Sequence, residues 1–254
     1  MTTTIGALGR LCNGLIRNMG VSLLAERFGL QVTYQYAEEM NKLGLKLFSG
    51  SKVHQSMVRV TDANYGEFLA KKVLFSNLHV ISEYCYLQTA EVAALIYTFL
   101  RRPVVASSII AANPYKQFYN NNESTFVHVR LTDVRHFSPG SKYFLKAIAA
   151  TKFKTLYIAS DDFEDEIVKE IIAVYPDAVL FSASPIHTIQ FGSTCRNVIL
   201  SGGSFSAMIG LLGFFSTVQY PENVHIGYDP ERGHLWQWCG DMFSGHGWAK
   251  VLYK

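Results

Sequence analysis

The sequence predicts an α/β protein built from parallel sheets in two successive halves. Strand-like and helix-like segments alternate along most of its 254 residues. A polar stretch, Asn113–Glu123, separates a less regular first half from a cleaner second half. Apolar residues make up 49% and charged residues 17%, so the chain can bury a sizeable core and is not a disordered one. Strand–helix alternation is the mark of βαβ units, whose ligands bind at the carboxyl ends of strands.

In order, Thr2–Ala7 reads as a strand running into a glycine-rich turn. Leu15, Met19, Leu23, Leu24 and Phe28 then recur at helical spacing up to Gly29. Leu30–Tyr36 alternates like a strand, and residues 40–76 give no clear pattern. Leu78–Ile81 reads as a strand and Val104–Ile110 as another. Between them, Thr89–Leu100 reads as a helix, with Glu91 in its first turn and Arg101-Arg102 at its end. In the second half, strands are expected at Phe126–Arg130, Thr155–Ala159, Ala178–Phe181 and Asn197–Leu200. Helices are expected at Ser141–Ala150, Phe163–Val174 and Ser204–Phe215. The domain boundary is placed in the polar stretch, giving domains 1–115 and 116–254.

Charge and cysteine usage exclude several classes. Lys and Arg total 23 against 20 Asp and Glu, a net charge of +3. The longest basic runs are Lys71-Lys72 and Arg101-Arg102, so no nucleic-acid stripe is expected. The 4 cysteines, at 12, 85, 195 and 239, form no zinc or disulfide pattern; free thiols in a reducing, cytoplasmic compartment are expected. The start of the chain lacks signal-peptide form, and the apolar run Ala207–Phe215 is about half a membrane span. A soluble protein without a transmembrane segment follows.

Five segments can carry chemistry. Gly6–Gly14, with Arg10 and Asn13, follows the first strand; its glycines permit close backbone approach to a ligand. It is neither a dinucleotide fingerprint nor a P-loop, and an ordinary strand-to-helix turn explains it as well. His128-Val-Arg130-Leu-Thr-Asp133 ends a strand. Arg130 can grip a phosphate bidentately and Asp133 can orient it; a plain ion pair is the alternative. Ser160-Asp161-Asp162 ends the next strand. Asp162, Glu164, Asp165 and Glu166 suit a helix start, while Asp161 can accept from a ribose or base. Ser201–Ser206 offers an anion cradle before a helix, although Ser204 fits equally as a cap. The last segment holds His225, His234, Trp236, Trp238, Cys239, His246 and Trp248, whose spacing fits no zinc site; tail packing by the tryptophans explains it.

Taken in order, these segments resemble the α-1,2-fucosyltransferases of glycosyltransferase family 11 and the wider fucosyltransferase group. The resemblance rests on Gly9–Leu15, HVRLTD at 128–133, Tyr143–Ile148, Ser160–Asp162 and Ser201–Ser206. It spans about residues 5–215 and is strongest from 126 onward. It implies a compact GT-B fold, two Rossmann-like domains facing a cleft, with residues 1–115 on the acceptor side and 116–254 binding the nucleotide sugar. It implies inverting transfer to a glycan acceptor, without metal or other cofactor, from a nucleotide sugar, GDP-fucose first among them. Arg130 would hold the diphosphate, and Ser204, Phe205 and Ser206, with His128, would line the nucleotide pocket. Asp161 would contact the nucleoside, and Arg10 and Asn13 would face the reacting centre. The sequence departs from the family pattern at Leu131, where a second arginine stands, at Gly14, and at Ala207-Met208. Rival readings are a metal-dependent GT-A transferase using Asp161-Asp162, a non-catalytic nucleotide- or glycan-binding relative, and an oxidoreductase.

Overall fold

The computed structural model describes residues 4–5, 10–80, 85–222, 226–229, 234–237 and 241–253. The chain divides into two compact units, Met1–Ile109 with Gly240–Met242, and Ile110–Cys239 with Phe243–Lys254.

In the first unit, β1 (Thr4–Ile5) leads to the 18-residue helix α1 (Leu11–Phe28). Gly29 ends α1 in the left-handed region at φ 71°, as glycine does without steric cost. Then come α2 (Ala37–Lys42), β2 (Met57–Val60), α3 (Tyr65–Ala70) and β3 (Asn77–Val80), followed by α4 (Ala90–Leu100) and α5 (Pro103–Ala112). The sheet is parallel, in the order β1-β3-β2. Thr89 caps α4 by accepting from the Val92 N–H at 3.3 Å.

Two expectations fail here. Leu30–Tyr36 forms no strand: it carries isolated bridges only, Leu30 to Lys52 among them. The Val32 N–H goes to the Ser49 hydroxyl at 3.0 Å. Val104–Ile110 lies in α5 rather than in a strand. Pro103 starts that helix, and its preset φ outweighs the β propensity of the valines and isoleucines that follow.

The second unit is a six-stranded parallel sheet in the order β11-β8-β7-β4-β5-β6. Its strands are β4 (Ser124–Val129), β5 (Thr155–Ser160), β6 (Val179–Leu180), β7 (Asn197–Ile199), β8 (Thr217–Pro221) and β11 (Ala249–Val251). Its helices are α6 (Ser141–Ala149), α7 (Glu166–Val174), α8 (Pro185–Gly192) and α9 (Ser204–Leu212). An antiparallel pair, β9 (Ile226–Asp229) and β10 (His234–Gln237), forms a separate two-stranded sheet, with β9 beside the loop Thr132–Phe137. Every residue of β4 is buried, as befits a central parallel strand covered on both faces. Tyr143, Phe144, Ala147 and Ile148 of α6 form one buried stripe against Val127, Val129 and Ile158. From β4 the chain winds outward to β5 and β6, then returns to the other side of β4 for β7 and β8. The winding therefore reverses between β4 and β7.

Among the described residues no single helix is long and apolar enough to cross a membrane; α4 and α5 reach that length only as a pair bent by 76°.

Candidate active site

A reversal of winding opens a crevice at the strands' carboxyl ends, where open α/β sheets bind ligands. Two of the segments read from the sequence meet there: the loop after β4 and the turn between β7 and α9. The Ser201 N–H donates to the His128 carbonyl at 3.1 Å, and the Ser201 hydroxyl accepts from the Arg130 N–H at 3.1 Å. The buried His128 ring is pinned by Ser206, with Nδ1 and Oγ 2.6 Å apart, and Ser206 in turn lies 3.0 Å from Ser201 Oγ. Phe205 covers the ring at a centroid distance of 4.9 Å. Burial, helped by the Arg130 charge, pushes the His128 pKa down to about 3. This histidine is a neutral hydrogen-bonding strut at physiological pH.

Gly203, at φ 89°, precedes α9, with nothing within 4 Å of where a Cβ would stand. The N-cap position belongs to Gly203, so Ser204 is the first helical residue and its cap reading fails. A glycine cap supplies no side-chain acceptor, and the first N–H groups of α9 lack the partner a serine cap would give them.

Arg130 leaves the end of β4 and is held by two carboxylates, Asp161 through Nη1 and Asp133 through Nη2. The two differ in commitment. Asp161 also accepts from the Leu131 N–H at 2.8 Å and the Thr132 hydroxyl at 2.5 Å. Asp133 is the more exposed, its side chain 46% accessible against 24% for Asp161. Thr132 sits at φ 30°, a costly conformation for a β-branched residue; its bond to Asp161 helps hold it. Leu131 is fully buried in the second unit's core and points no polar group toward the crevice. Beyond Asp161, the acidic run works as a helix start: Asp165 caps α7 by accepting from the Ile167 N–H and pairs with Arg135, which lowers its pKa.

Arg10 and Asn13 belong to the first unit. Arg10 occupies the N-cap position of α1, and its carbonyl accepts from the Asn13 N–H at 3.0 Å. Asn13 Oδ1 accepts from Gln88 Nε2 at 2.9 Å. A Cβ on Gly14 would lie 2.2 Å from the Tyr36 ring, so any side chain there would have to displace that ring. Gly6 and Gly9 lie outside the described residues, as do His225, Trp238 and Cys239 and the side chains of His234 and Trp236. Trp248 packs its ring against Gly210 of α9. Cys12, Cys85 and Cys195 are buried free thiols, their pKa values raised by burial. Among the described residues no group of three or more His, Cys, Asp or Glu side chains could hold a metal ion.

Sequence reasoning passed over Ser201 as one small residue of a turn, and over Thr132, Tyr36 and Gln88. Ser201 had a usable signal: it is the first residue past an apolar strand, on the crevice side of a Gly-Gly pair.

No protein-family model and no curated protein matches the sequence. Solved structures do match. NodZ alpha-1,6-fucosyltransferase co-crystallized with GDP aligns over 95% of this chain and 99% of its own, at a TM-score of 0.50 and 12% identity. Fucosyltransferase NodZ from Bradyrhizobium aligns at a TM-score of 0.50 and 13% identity, over 94% of this chain and 99% of its own. Its selenomethionine form gives 0.51 and 14%, with the same coverage. The chain has the α/β fold of these fucosyltransferases. At such identities the likeness establishes architecture alone; family 11 membership is not among what it supports.

Proposed function

We propose that this protein is a glycosyltransferase that moves a sugar, with L-fucose from GDP-fucose the first choice, onto a glycan hydroxyl with inversion. The observation that carries the reading is Arg130, held at the reversal point of the sheet beside the turn into α9, in a chain that shares the fold of a fucosyltransferase crystallised with GDP. The chemistry follows from charge. A departing nucleoside diphosphate gathers negative charge, which fixed cations and N–H groups stabilise. Arg130 supplies a planar fork, and the glycine-capped start of α9 supplies N–H groups. The base and ribose would lie toward Phe205 and Ser204, with His128 and Ser206 bracing the turn from beneath.

The reaction proceeds without a divalent cation in this reading, because the carboxylates near the crevice already serve other groups. Asp161 serves Arg130, Leu131 and Thr132, and Asp165 serves Arg135 and the α7 cap. Within the proposal residues 116–254 hold the donor, and residues 1–115 hold the acceptor and bring Arg10 and Asn13 to bear on the reacting centre. A cytoplasmic location fits the buried reduced thiols. Leu131 keeps a second reading in view: with leucine in place of the family's second arginine, the chain would be a nucleotide- or glycan-binding relative without turnover.

The test pairs binding with turnover. GDP at about 100 times its dissociation constant should stabilise the chain by about 2.7 kcal/mol, and GDP release from GDP-fucose should survive EDTA. Arg130→Ala should cost about 10²–10³-fold in turnover, and Arg130→Lys should also be impaired through loss of the fork. Binding without turnover for any nucleotide sugar selects the second reading. Activity abolished by EDTA and restored by Mn²⁺, or untouched by Arg130→Ala, overturns the mechanism.

A further inference from the structure

The end of the first unit opposite its strands' carboxyl ends gathers charges that lie far apart in the sequence. Four chain segments converge on the last turn of α1. Arg27 donates from Nη2 to the Lys71 carbonyl at 3.0 Å. Arg102 pairs with Glu26 at 2.7 Å. The Lys52 N–H donates to the Gly29 carbonyl at 3.0 Å. Lys46 and Arg102 line one groove of about 370 Å³ with Pro103 and Val104. These segments carry six cations at this end of the unit, Arg27, Lys46, Lys52, Lys71, Lys72 and Arg102, against Glu26, which pairs with Arg102, and Glu67 of α3.

The same segments carry the most exposed apolar side chains of the first unit. Val104 is 82% exposed, Phe75 79%, Val73 59% and Val53 46%. Phe75 is tied to the Val53 loop through its carbonyl, which accepts from the Ser56 hydroxyl at 3.0 Å. Val104 opens α5, a helix without a charged residue and with Ile109 its single buried side chain. Cations at a helix C-terminus are ordinary dipole partners, but that account does not call for apolar tips standing among them.

We infer that this face docks the protein on an anionic lipid bilayer. Charge complementarity selects the occupant: cations at headgroup level, with aliphatic tips entering the acyl boundary, are the chemistry of interfacial binding. Nucleic acid fits less well, since three of the four tips are valines and one phenylalanine is no stacking platform. The inference does not rest on the transferase reading. The face lies at the amino ends of β2 and β3, away from the strand ends where ligands bind in such sheets.

The experiment is flotation of the full chain with vesicles of phosphatidylcholine alone or with about a third phosphatidylserine. Binding to the anionic vesicles only, falling as salt is raised, is expected. Reversing two cations with Lys71→Glu/Lys72→Glu should weaken it by about 20-fold or more, taking about fivefold per charge. Phe75→Ser should weaken it while leaving the salt dependence in place; its exposed side chain makes it the control if the charge-reversed variant unfolds. Lys142→Glu/Lys146→Glu, on α6 of the second unit, should bind as the unaltered chain does. Equal binding to both vesicle types, no binding to either, or no effect of the substitutions at 71, 72 and 75 overturns the inference. So does retention on single-stranded RNA, or a dimer lost in Phe75→Ser, in the absence of vesicle binding.

Discussion

The two units hold themselves together by different means. The second has an apolar core in which α6 and α7 lay apolar stripes on β4 and β5. Its buried polar side chains lie at both ends of the sheet: His128, Ser201 and Ser206 at the candidate site, and Asn113, Thr125, Ser193 and Asn197 at the opposite end. The first has a small sheet of three strands and a helix, α1, that buries Arg17 and Asn18 among its apolar residues. Polar side chains fix its connections: Asn18 Nδ2 donates to the Gln35 carbonyl at 2.7 Å, the Tyr65 hydroxyl to Gly20 at 2.8 Å, and Asn77 Nδ2 to His54 at 2.6 Å. Asp62 accepts from the N–H groups of Tyr86 and Leu87 at 3.1 and 2.6 Å. The run from β4 to α7 is specified by hydrophobic periodicity, the first unit in large part by single polar contacts between segments distant in sequence.

The contrast is broken most forcefully in the second unit's core. Phe144→Ala removes a fully buried ring and should cost about 3–5 kcal/mol by urea unfolding. The corresponding weak point of the first unit is polar. Asp62→Ala leaves two backbone N–H groups without their acceptor, with Leu87 held at φ 51°, and should cost about 1–3 kcal/mol. Hydrogen exchange should quicken around residues 62 and 85–88 in that variant while β4 and β5 keep their protection. If a polar substitution in the first unit costs nothing, its connections are held by packing after all.

This difference explains what the sequence makes legible. Each helix of the βαβ run from 124 to 174 carries a 3.6-residue apolar stripe, and its strands are apolar runs, so α6, β5 and α7 can be read directly. In the first unit the pattern misleads. Leu30–Tyr36 alternates like a strand but finds only isolated bridges, and Val104–Ile110 is β-branched yet helical. Helix α8 went unread although Ser184 and Pro185, a cap followed by proline at the first position, announce a helix start. In the candidate site, Arg130 and the 201–206 turn stand out because they follow strands. The pairing of Arg130 with Asp161, across 31 positions, depends on β4 and β5 lying side by side, which no local spacing encodes. The basic face is hidden for the same reason: Lys71-Lys72 and Arg101-Arg102 are short pairs until α1 brings them together.

A pH series sharpens the comparison from the other side. His128 titrates at about 3 in the folded chain and at about 6.5 unfolded. Between these values the unfolded state binds the extra proton, so stability rises with pH and is lost as pH falls through the window. The slope should approach about 1.4 kcal/mol per pH unit below 6.5. Asp165, whose pKa is lowered chiefly by its hydrogen bond to Arg135, adds a loss of the same sign at lower pH. The difference between the unaltered chain and His128→Asn from pH 6.5 to 4.5 isolates the histidine from carboxylates such as Glu38 and Glu123, whose pKa values are also lowered. His128→Asn should flatten that limb; an unchanged slope would mean that the ring is charged or exposed in solution.

The smallest expected effect separates the two acids on Arg130. A nucleoside diphosphate brings negative charge to a guanidinium that already faces two carboxylates, so one of them must yield or be repelled. Asp161 accepts from three neighbours, and removing its charge leaves the Leu131 N–H and the strained Thr132 less well held. Asp161→Asn should therefore weaken GDP binding through a displaced arginine. Asp133 is the more exposed partner, and it accepts from Arg130 and Thr132, both in its own loop. Asp133→Asn removes a like charge from the phosphate's path while keeping the side chain's volume. GDP binding should then tighten severalfold, by less than the about 1.4 kcal/mol that a tenfold change represents, and the gain should shrink as salt screens the repulsion. Turnover supplies the second readout. If Asp133 also takes a proton during transfer, Asp133→Asn will bind GDP more tightly yet turn over more slowly, a split that a purely orienting carboxylate does not produce. Weaker GDP binding in Asp133→Asn would instead make it the acid that aims Arg130, leaving Asp161 as the one displaced.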